Sequence, residues 1–293
     1  MKRRDFIQKA SLASAGVMAA SPLLSQPFDD GVIKKLGFQA YTVRDVIYKD
    51  MPGTLKALRK AGYSYCELFD FQDGKILGKS ISEAKAILDK SKISVKSIHV
   101  PTGAGQKVSG TMNHEFQRAI DDAKELGAEY LVCPWLNTDE RQTIDQYKAL
   151  CDLLQQCGEM CNNSGLGFAY HNHEFEFEEL DGQTPFDLIL ATDPKLVQIE
   201  LDIYWVRYAG KNPLNIMREN RGRIPFWHVK DLSLDEGKPM TEVGNGIIDW
   251  KQIFRHKDES GMKYFYVEQD RNFANNSIES LKTSLKYLKK INY

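Results

Sequence analysis

Two histidines two residues apart close a short apolar run, Gly167-Phe168-Ala169-Tyr170-His171-Asn172-His173, and carboxylates follow at Glu174 and Glu176. In a β-strand residues i and i+2 share a face, so His171 and His173 point the same way. Three later apolar runs also end in a residue able to ligate a metal: Asp202, His228 and Glu268. Imidazole and carboxylate donors together suit a divalent ion such as Mn, Co, Zn or Fe better than Ca. Taken alone, one strand-end His or Asp is explained equally well by an internal hydrogen bond. The weight falls on the set, which puts His, Asp, His and Glu at the ends of four consecutive predicted strands.

The elements that must position these residues alternate along the chain. The pattern predicts strands over 35–41, 64–69, 95–100, 129–133, 167–172, 197–203, 224–229 and 264–268. Helices are predicted over 54–61, 82–90, 113–126, 139–162, 184–191, 213–220, 250–256 and 277–290. Gly62, Gly127 and Gly165 stop three of the helices, and Ser80 or Ser82 caps one. Eight strand–helix units argue for an α/β fold, a single (β/α)8 TIM barrel with its helices outside. A doubly wound open sheet is the competing architecture. It would usually carry a Gly-rich first turn for a dinucleotide, and no GxGxxG follows Tyr41. The chain also lacks a P-loop, GxSxG and HExxH, and no composition break marks a second domain.

Barrel active sites sit at the C-terminal strand ends. Gln39, Tyr41, Glu67, His99, Trp135, His171, His173, Asp202, His228, Lys230, Glu268 and Asp270 therefore fall around one mouth.

The 293 residues are 42% hydrophobic and 27% charged, with a net charge of -1, which provides a large core and no electrostatic footprint for nucleic acid. At the N-terminus, the basic run from Lys2 through Arg3 and Arg4 leads into a weakly apolar, Ala/Ser-rich stretch over 10–24. Small residues at Ala19-Ala20-Ser21 suit a peptidase. The arginine pair followed by Asp5-Phe6-Ile7 resembles a twin-arginine export signal. That reading predicts a periplasmic protein with residues 1–26 removed and a barrel over 27–293. An amphipathic helix or a membrane anchor is the competing reading. The stretch is short for a span, so no stable membrane span is expected after signal removal. The cysteines, Cys66, Cys133, Cys151, Cys157 and Cys161, show no CxxC or zinc-finger spacing, and their odd number leaves a free thiol or an intermolecular bond.

Glu-Leu-Asp202, Trp-His228-Val-Lys230-Asp231 and Tyr-Val-Glu268, in that order, resemble the sugar isomerase/epimerase superfamily of xylose-isomerase-like barrels. Val243-Gly244-Asn245-Gly246-Ile247-Ile248-Asp249-Trp250 is similar to that family's Gly-x-Gly-x-x-Asp-Trp/Phe turn, and the opening stretch Leu36 to Arg44 also resembles it. The resemblance covers most of the chain after the signal. It implies one divalent ion (Mn, Co, Zn, Fe or Mg) held by Glu, Asp, His and Glu from strands five to eight. Asp202, His228 and Glu268 match the last three of these. Where the family often reads Leu-Glu-Asn-His, this chain reads Tyr170-His171-Asn172-His173. His171 therefore stands in the Glu position, with Glu174 from the loop as the alternative.

The resemblance implies a sugar isomerase or epimerase. In such epimerases the two glutamates on the metal also move protons, one on each face of the sugar. A ligated neutral imidazole shuttles protons poorly, so one-base chemistry is easier here. That chemistry is proton removal beside a carbonyl, with the metal stabilising the enediolate oxygen. Glu268, His173 and Lys230 are the candidate bases, and isomerisation and β-elimination both fit. The alternatives are a metal-dependent lyase or hydrolase acting on 3-keto glycosides, and a non-catalytic carbohydrate-binding barrel. The last is disfavoured because idle buried ionisable groups are costly. A small-molecule carbohydrate is the expected partner, and an oligomer is left open.

Substrate contacts are expected from Gln39, Tyr41, Glu67, His99 and Trp135. Glu67 serves equally as a structural partner for Gln39 or Arg44, and Lys230 is expected on the rim. Phe69, Trp135, Tyr204 and Trp205 offer flat apolar surface for a sugar ring, or ordinary packing. The charge run Glu174, Glu176, Glu178 and Glu179 reads as a solvated loop. His114 and His256 fall on predicted helices facing solvent.

Overall fold

In the computed structural model, which describes residue 33 and residues 35–293, eight short parallel strands close on themselves. They are β1 (Leu36–Gln39), β2 (Tyr63–Leu68), β3 (Ser94–His99), β4 (Tyr130–Cys133), β5 (Gly167–His171), β6 (Gln198–Asp202), β7 (Phe226–Val229) and β8 (Tyr264–Val267). Each pairs with its neighbours in chain order, and β8 pairs with β1, Gly37 opposite Tyr266. The predicted single (β/α)8 barrel is therefore what the chain forms. The export signal expected over 1–26 lies outside the described residues. Among the described residues no helix is long and apolar enough to cross a membrane.

The helices start where their caps permit. Asp50, Ser80, Thr143 and Asn276 each accept a backbone N–H in the first turn of the helix that follows. The long helix predicted from residue 139 is divided by this rule: a 3-10 turn spans Thr138–Glu140, and the helix proper is Ile144–Asn163. The helix predicted from 113 begins at Phe116, because Thr111 and His114 pair in an isolated bridge. His114 is thus on a loop, and His256 ends the helix Trp250–Arg255 rather than lying within it.

Four elements at the mouth escape the sequence pattern. A 3-10 turn, Ala40–Val43, carries Tyr41 out of the first strand. Phe71–Gln72, Lys75–Ile76 and Lys79–Ser80 form a small antiparallel sheet, and Asp231–Leu232 pairs with Met240–Thr241. Two-residue strands are too short to show a period. The helix Ile203–Tyr208 is aromatic and β-branched, a composition that favours a strand, yet Asp202 caps it by accepting from Trp205 N.

The barrel interior is stratified. Its lower part is an aromatic plug of Tyr65, Tyr130, Phe226 and Tyr266 with Val132 and Ala169. Tyr130 meets Phe226 edge-on at 4.5 Å. Glycines make room for the rings: a Cβ on Gly37 would stand 2.1 Å from the Tyr65 ring, and one on Gly167 would stand 2.1 Å from the Tyr130 ring. Apolar material at the bottom forces the ionisable inward positions into the upper half.

Asp231 fixes the wall of the mouth beside β7. It is fully buried, and its carboxylate accepts from Leu232 N, Gly244 N, Ile248 N and Trp250 Nε1, at 2.8–3.2 Å. The glycine-rich stretch wraps around this carboxylate, and a Cβ on Gly246 would lie 2.3 Å from Asp231 Oδ1. Asp231→Ala leaves four donors unpaired, three of them buried, and should cost about 3 kcal/mol or more of folding stability. An unchanged chemical-denaturation midpoint would refute that role.

Candidate active site

The two-residue period of the strands stacks the ionisable side chains in two levels. On β6, Glu200 stands below Asp202; His228 of β7 stands below Lys230, which follows the strand's last residue. The lower level joins Glu67 of β2, His99 of β3, Glu200 and His228. Glu67 Oε2 lies 2.8 Å from His99 Nε2 and 2.7 Å from His228 Nε2. Glu200 Oε2 lies 3.1 Å from His99 Nε2 and 3.2 Å from His228 Nε2. Gln39 Nε2 donates to Glu67 Oε2 at 2.6 Å, and Ser97 Oγ bridges Glu67 Oε1 and the Tyr266 hydroxyl at 2.6 Å each.

The upper level joins His171 at the end of β5, Asp202, Lys230, Glu268 and Asp270. Lys230 Nζ lies 2.9 Å from Asp202 Oδ2, 2.7 Å from Glu268 Oε2 and 3.2 Å from Asp270 Oδ1. His228 Nδ1 is 2.6 Å from Glu268 Oε2. His171 turns Nε2 toward Asp202 Oδ2 at 3.8 Å and Nδ1 toward Glu200 Oε2 at 3.3 Å.

Burial and neighbouring charge set the protonation states. Burial alone would lower Lys230, but Asp202, Asp270 and Glu268 hold it well above the usual lysine range. Burial works against the charge on His228 too, yet Glu200 and Glu268 hold its imidazole well above the usual range. Burial pushes Asp202 up to about 6, with Lys230 pulling against it. His171 and His173 are pushed well below the usual histidine range, by burial first, then by His228 and Lys230 respectively. Both are neutral imidazoles at neutral pH.

The backbone around the two histidines is clamped by side chains. Asn172 Oδ1 accepts from Asp202 N at 2.9 Å, so an amide side chain extends the β5–β6 ladder past its end. Glu176 accepts from the Tyr170 hydroxyl at 2.6 Å and from His173 N at 2.7 Å.

A divalent ion fits the upper level. Asp202 Oδ2, Glu268 Oε2 and His228 Nδ1 are buried without a well-directed hydrogen bond, and Lys230 meets the two carboxylates only as an ion pair. His171, Asp202 and His228 each offer a donor atom, all within 4.8 Å of one another. The other nitrogens of His171 and His228 face Glu200 and Glu67, the carboxylate backing typical of imidazole ligands. A buried cluster of this composition can bind a metal.

Above it opens a cavity of about 720 Å3, within the usual range for small-molecule sites. Tyr41, Phe69, His99, Trp135, His171, His173, Trp205, Lys230, Glu268 and Asp270 line it. His173 lies parallel to Phe175, with ring centres 5.4 Å apart, and Trp135 meets it edge-on at 4.6 Å.

Several expectations need correction. Gln39 and Glu67 are fully buried below the floor and do not line the cavity. β1 and β2 end low, and the two side chains bond each other. Lys230 is 2% exposed and held by three carboxylates, not on the rim. Glu176 is fully buried rather than part of a solvated run, because Tyr170 and His173 need its oxygens; Glu178 and Glu179 are exposed as expected. Tyr204 is buried and donates its hydroxyl to Lys238 O, away from the cavity. Glu200 joins the cluster as well, against His99, His171 and His228, although it is not the last residue of its strand. Its signal was its place two residues before Asp202, on the same strand face.

The family model for xylose isomerase-like TIM barrels matches residues 55–291. Inosose dehydratase of Clostridium beijerinckii is 25% identical over 72% of this chain and 81% of its own length. That of Geobacillus thermodenitrificans is 24% identical over 73% and 81%. A sugar phosphate isomerase/epimerase structure from Parabacteroides distasonis superposes with a TM-score of 0.75 at 26% identity, covering 88% of this chain and 98% of that one. An IOLI protein with a bound zinc atom shares the fold, with a TM-score of 0.68 at 18% identity over 88% and 99%.

Burial pushes Glu176 up from 4.5 to about 7, against the pull of its bonds from Tyr170 and His173. The fold therefore prefers the protonated acid. Its stabilising contribution is complete below about pH 4.5 and is lost as pH rises through about 7, roughly 3 kcal/mol in all. Glu176→Gln removes this dependence, so its denaturation midpoint should fall less than that of the unaltered protein between about pH 5 and 8. Parallel pH profiles would disprove the assignment.

Proposed function

Since this chain belongs to the xylose isomerase-like TIM barrel family, a family of enzymes, we propose that it is a divalent-metal-dependent lyase acting on a keto-carbohydrate. The reaction removes a proton beside the carbonyl and expels the oxygen substituent on the next carbon. One observation carries this reading: the cavity presents one neutral base, His173, beside a fixed cation, Lys230, with an imidazole where a second glutamate would complete a two-face proton relay. The relatives named inosose dehydratases support the same class of reaction.

Asp202, His228 and Glu268, with His171, would hold the ion. A divalent cation there supplies stabilisation for negative charge developing on the substrate's carbonyl oxygen. The chain's own groups do the rest. Lys230 adds a permanent positive charge, pinned in place by its three carboxylates. Phe175 and Trp135 pack against His173 and limit the water around it. The His173 imidazole takes the proton as the C–H bond breaks. The electron pair then forms a carbon–carbon double bond as the C–O bond to the leaving group breaks. That oxygen takes the proton back from His173 and departs as water or, from a glycoside, as an alcohol. One group on one face suffices for both transfers.

Isomerisation or epimerisation is the second reading, favoured by the names of the Parabacteroides structures. It shares the first step and differs in returning the proton to carbon. We place either reaction in the periplasm, on the strength of the Arg3-Arg4 signal.

Product analysis in heavy water separates the readings. Incubating the Mn- or Co-loaded protein with a keto-cyclitol and a 3-keto glycoside should give an unsaturated ketone and a free aglycone. Deuterated isomers with no unsaturated product would overturn the lyase reading. His173→Gln should lower kcat by about 10²–10⁴ with metal content unchanged. Asp202→Asn and Glu268→Gln should each lose both metal and turnover, and His171→Ala should weaken metal binding. If all three retain full metal content, the ligand set is wrong.

A further inference from the structure

We propose that the lower ring of Glu67, His99, Glu200 and His228 is a second divalent-cation site, buried one level beneath the first. Four strands contribute one donor atom each: Glu67 Oε2, His99 Nε2, Glu200 Oε2 and His228 Nε2. Oxygen and nitrogen alternate around the ring, with successive separations of 2.8, 3.1, 3.2 and 2.7 Å. Arranged as a square, donors with these edges would stand about 2.1 Å from a central ion. That is the bond length of zinc or magnesium to imidazole nitrogen or carboxylate oxygen. Adjacent donors in an octahedral shell stand √2 bond lengths apart, which these edges approach.

Two further observations point to an ion. Glu200 Oε1 is buried without a hydrogen-bond partner, which ordinarily costs about 1–3 kcal/mol. Two-oxygen coordination would cover it. His171 Nδ1, also without a hydrogen-bond partner, faces the same residue at 3.3 Å from Glu200 Oε2, as the second nitrogen of an upper-level ligand. Binding would displace the protons that His99 and His228 share with these carboxylates, leaving two carboxylates to balance one divalent cation. Two nitrogens and two oxygens suit Mn, Fe, Co or Zn.

His228 belongs to both levels. Its Nε2 faces the ring and its Nδ1 faces Asp202 and Glu268 at 3.9 and 2.6 Å. As an imidazolate, with both ring protons displaced by metal, this one side chain would bridge the two ions. Entry is from the cavity, because His99 lines it and keeps 9% exposure while the other three ring members keep none.

Element analysis of the full chain after saturation with Mn²⁺ or Co²⁺ and removal of excess, together with anomalous diffraction at the metal edge, tests this. Two ions per chain are expected, one within bonding distance of the four ring residues. Glu200→Gln should weaken the ring site about 100-fold or more and remove one equivalent, leaving the ion at Asp202 and Glu268. His99→Gln is the second variant, and thermal unfolding checks that each is folded. One ion per chain at Asp202 and Glu268, unaffected by either variant, would overturn the proposal, as would no ion in the ring at saturating metal. An ion in the ring and none between Asp202 and Glu268 would uphold it and overturn instead the metal assignment of the proposed function.

Discussion

Charge taken out of water has to be balanced within the barrel, and the arrangement of the mouth follows from that constraint. Glu67, Glu200, Asp202 and Glu268 are at most 5% exposed, and each lies within 3.9 Å of a nitrogen of the one His228 ring. Carboxylates so close and so dry repel each other and lose their hydration, and they persist only with cations or strong donors between them. His99, His228 and Lys230 fill those places. Lys230 is the clearest case, since its ammonium touches carboxylates from β6 and from the segment after β8. A divalent ion bound at the upper level would therefore enter a site that already contains a competing cation, and the two would share Asp202 and Glu268.

The scaffold keeps this cluster rigid by giving each neighbouring polar group a specific task. The aromatic plug closes the barrel from below, so water reaches the cluster from one side. Asn172 continues the β5–β6 ladder beyond its last backbone bond, Glu176 holds the Tyr170 hydroxyl and the His173 amide, and Asp231 gathers four donors from the wall. None of these three touches the cavity. They fix the positions from which His171, His173 and Asp202 reach it, which is how a site on short strands attains the precision that catalysis needs.

The barrel was legible because alternation of apolar runs with helical periods is a repeated signal, present eight times. That His171, Asp202, His228 and Glu268 would meet was legible because the strand ends of such a barrel converge on one mouth. The lower level was not. Gln39 and Glu67 also end strands, but how far a strand climbs before it ends is decided by closure of the sheet, which no local pattern records. Lys230 looked like a rim residue because long cationic side chains usually reach water; its partners are far away in sequence. Glu176 sat in a run of acids whose polarity implied solvent, and its burial depends on two donors that only the folded loop brings to it. The two-residue strands near the mouth carried too few residues for any period to show.

β6 carries Glu200 and Asp202 on one face and Ile199 and Leu201 on the other. A single residue inserted or deleted ahead of them would turn both acids out toward the helices and both hydrocarbons in toward the mouth. Both levels would be lost at once, and so would the cap of the helix Ile203–Tyr208. Evolution of this site is therefore confined to exchanges at fixed register. An exchange of one side chain at a strand end leaves the register intact, whereas slippage along the strand displaces both levels together.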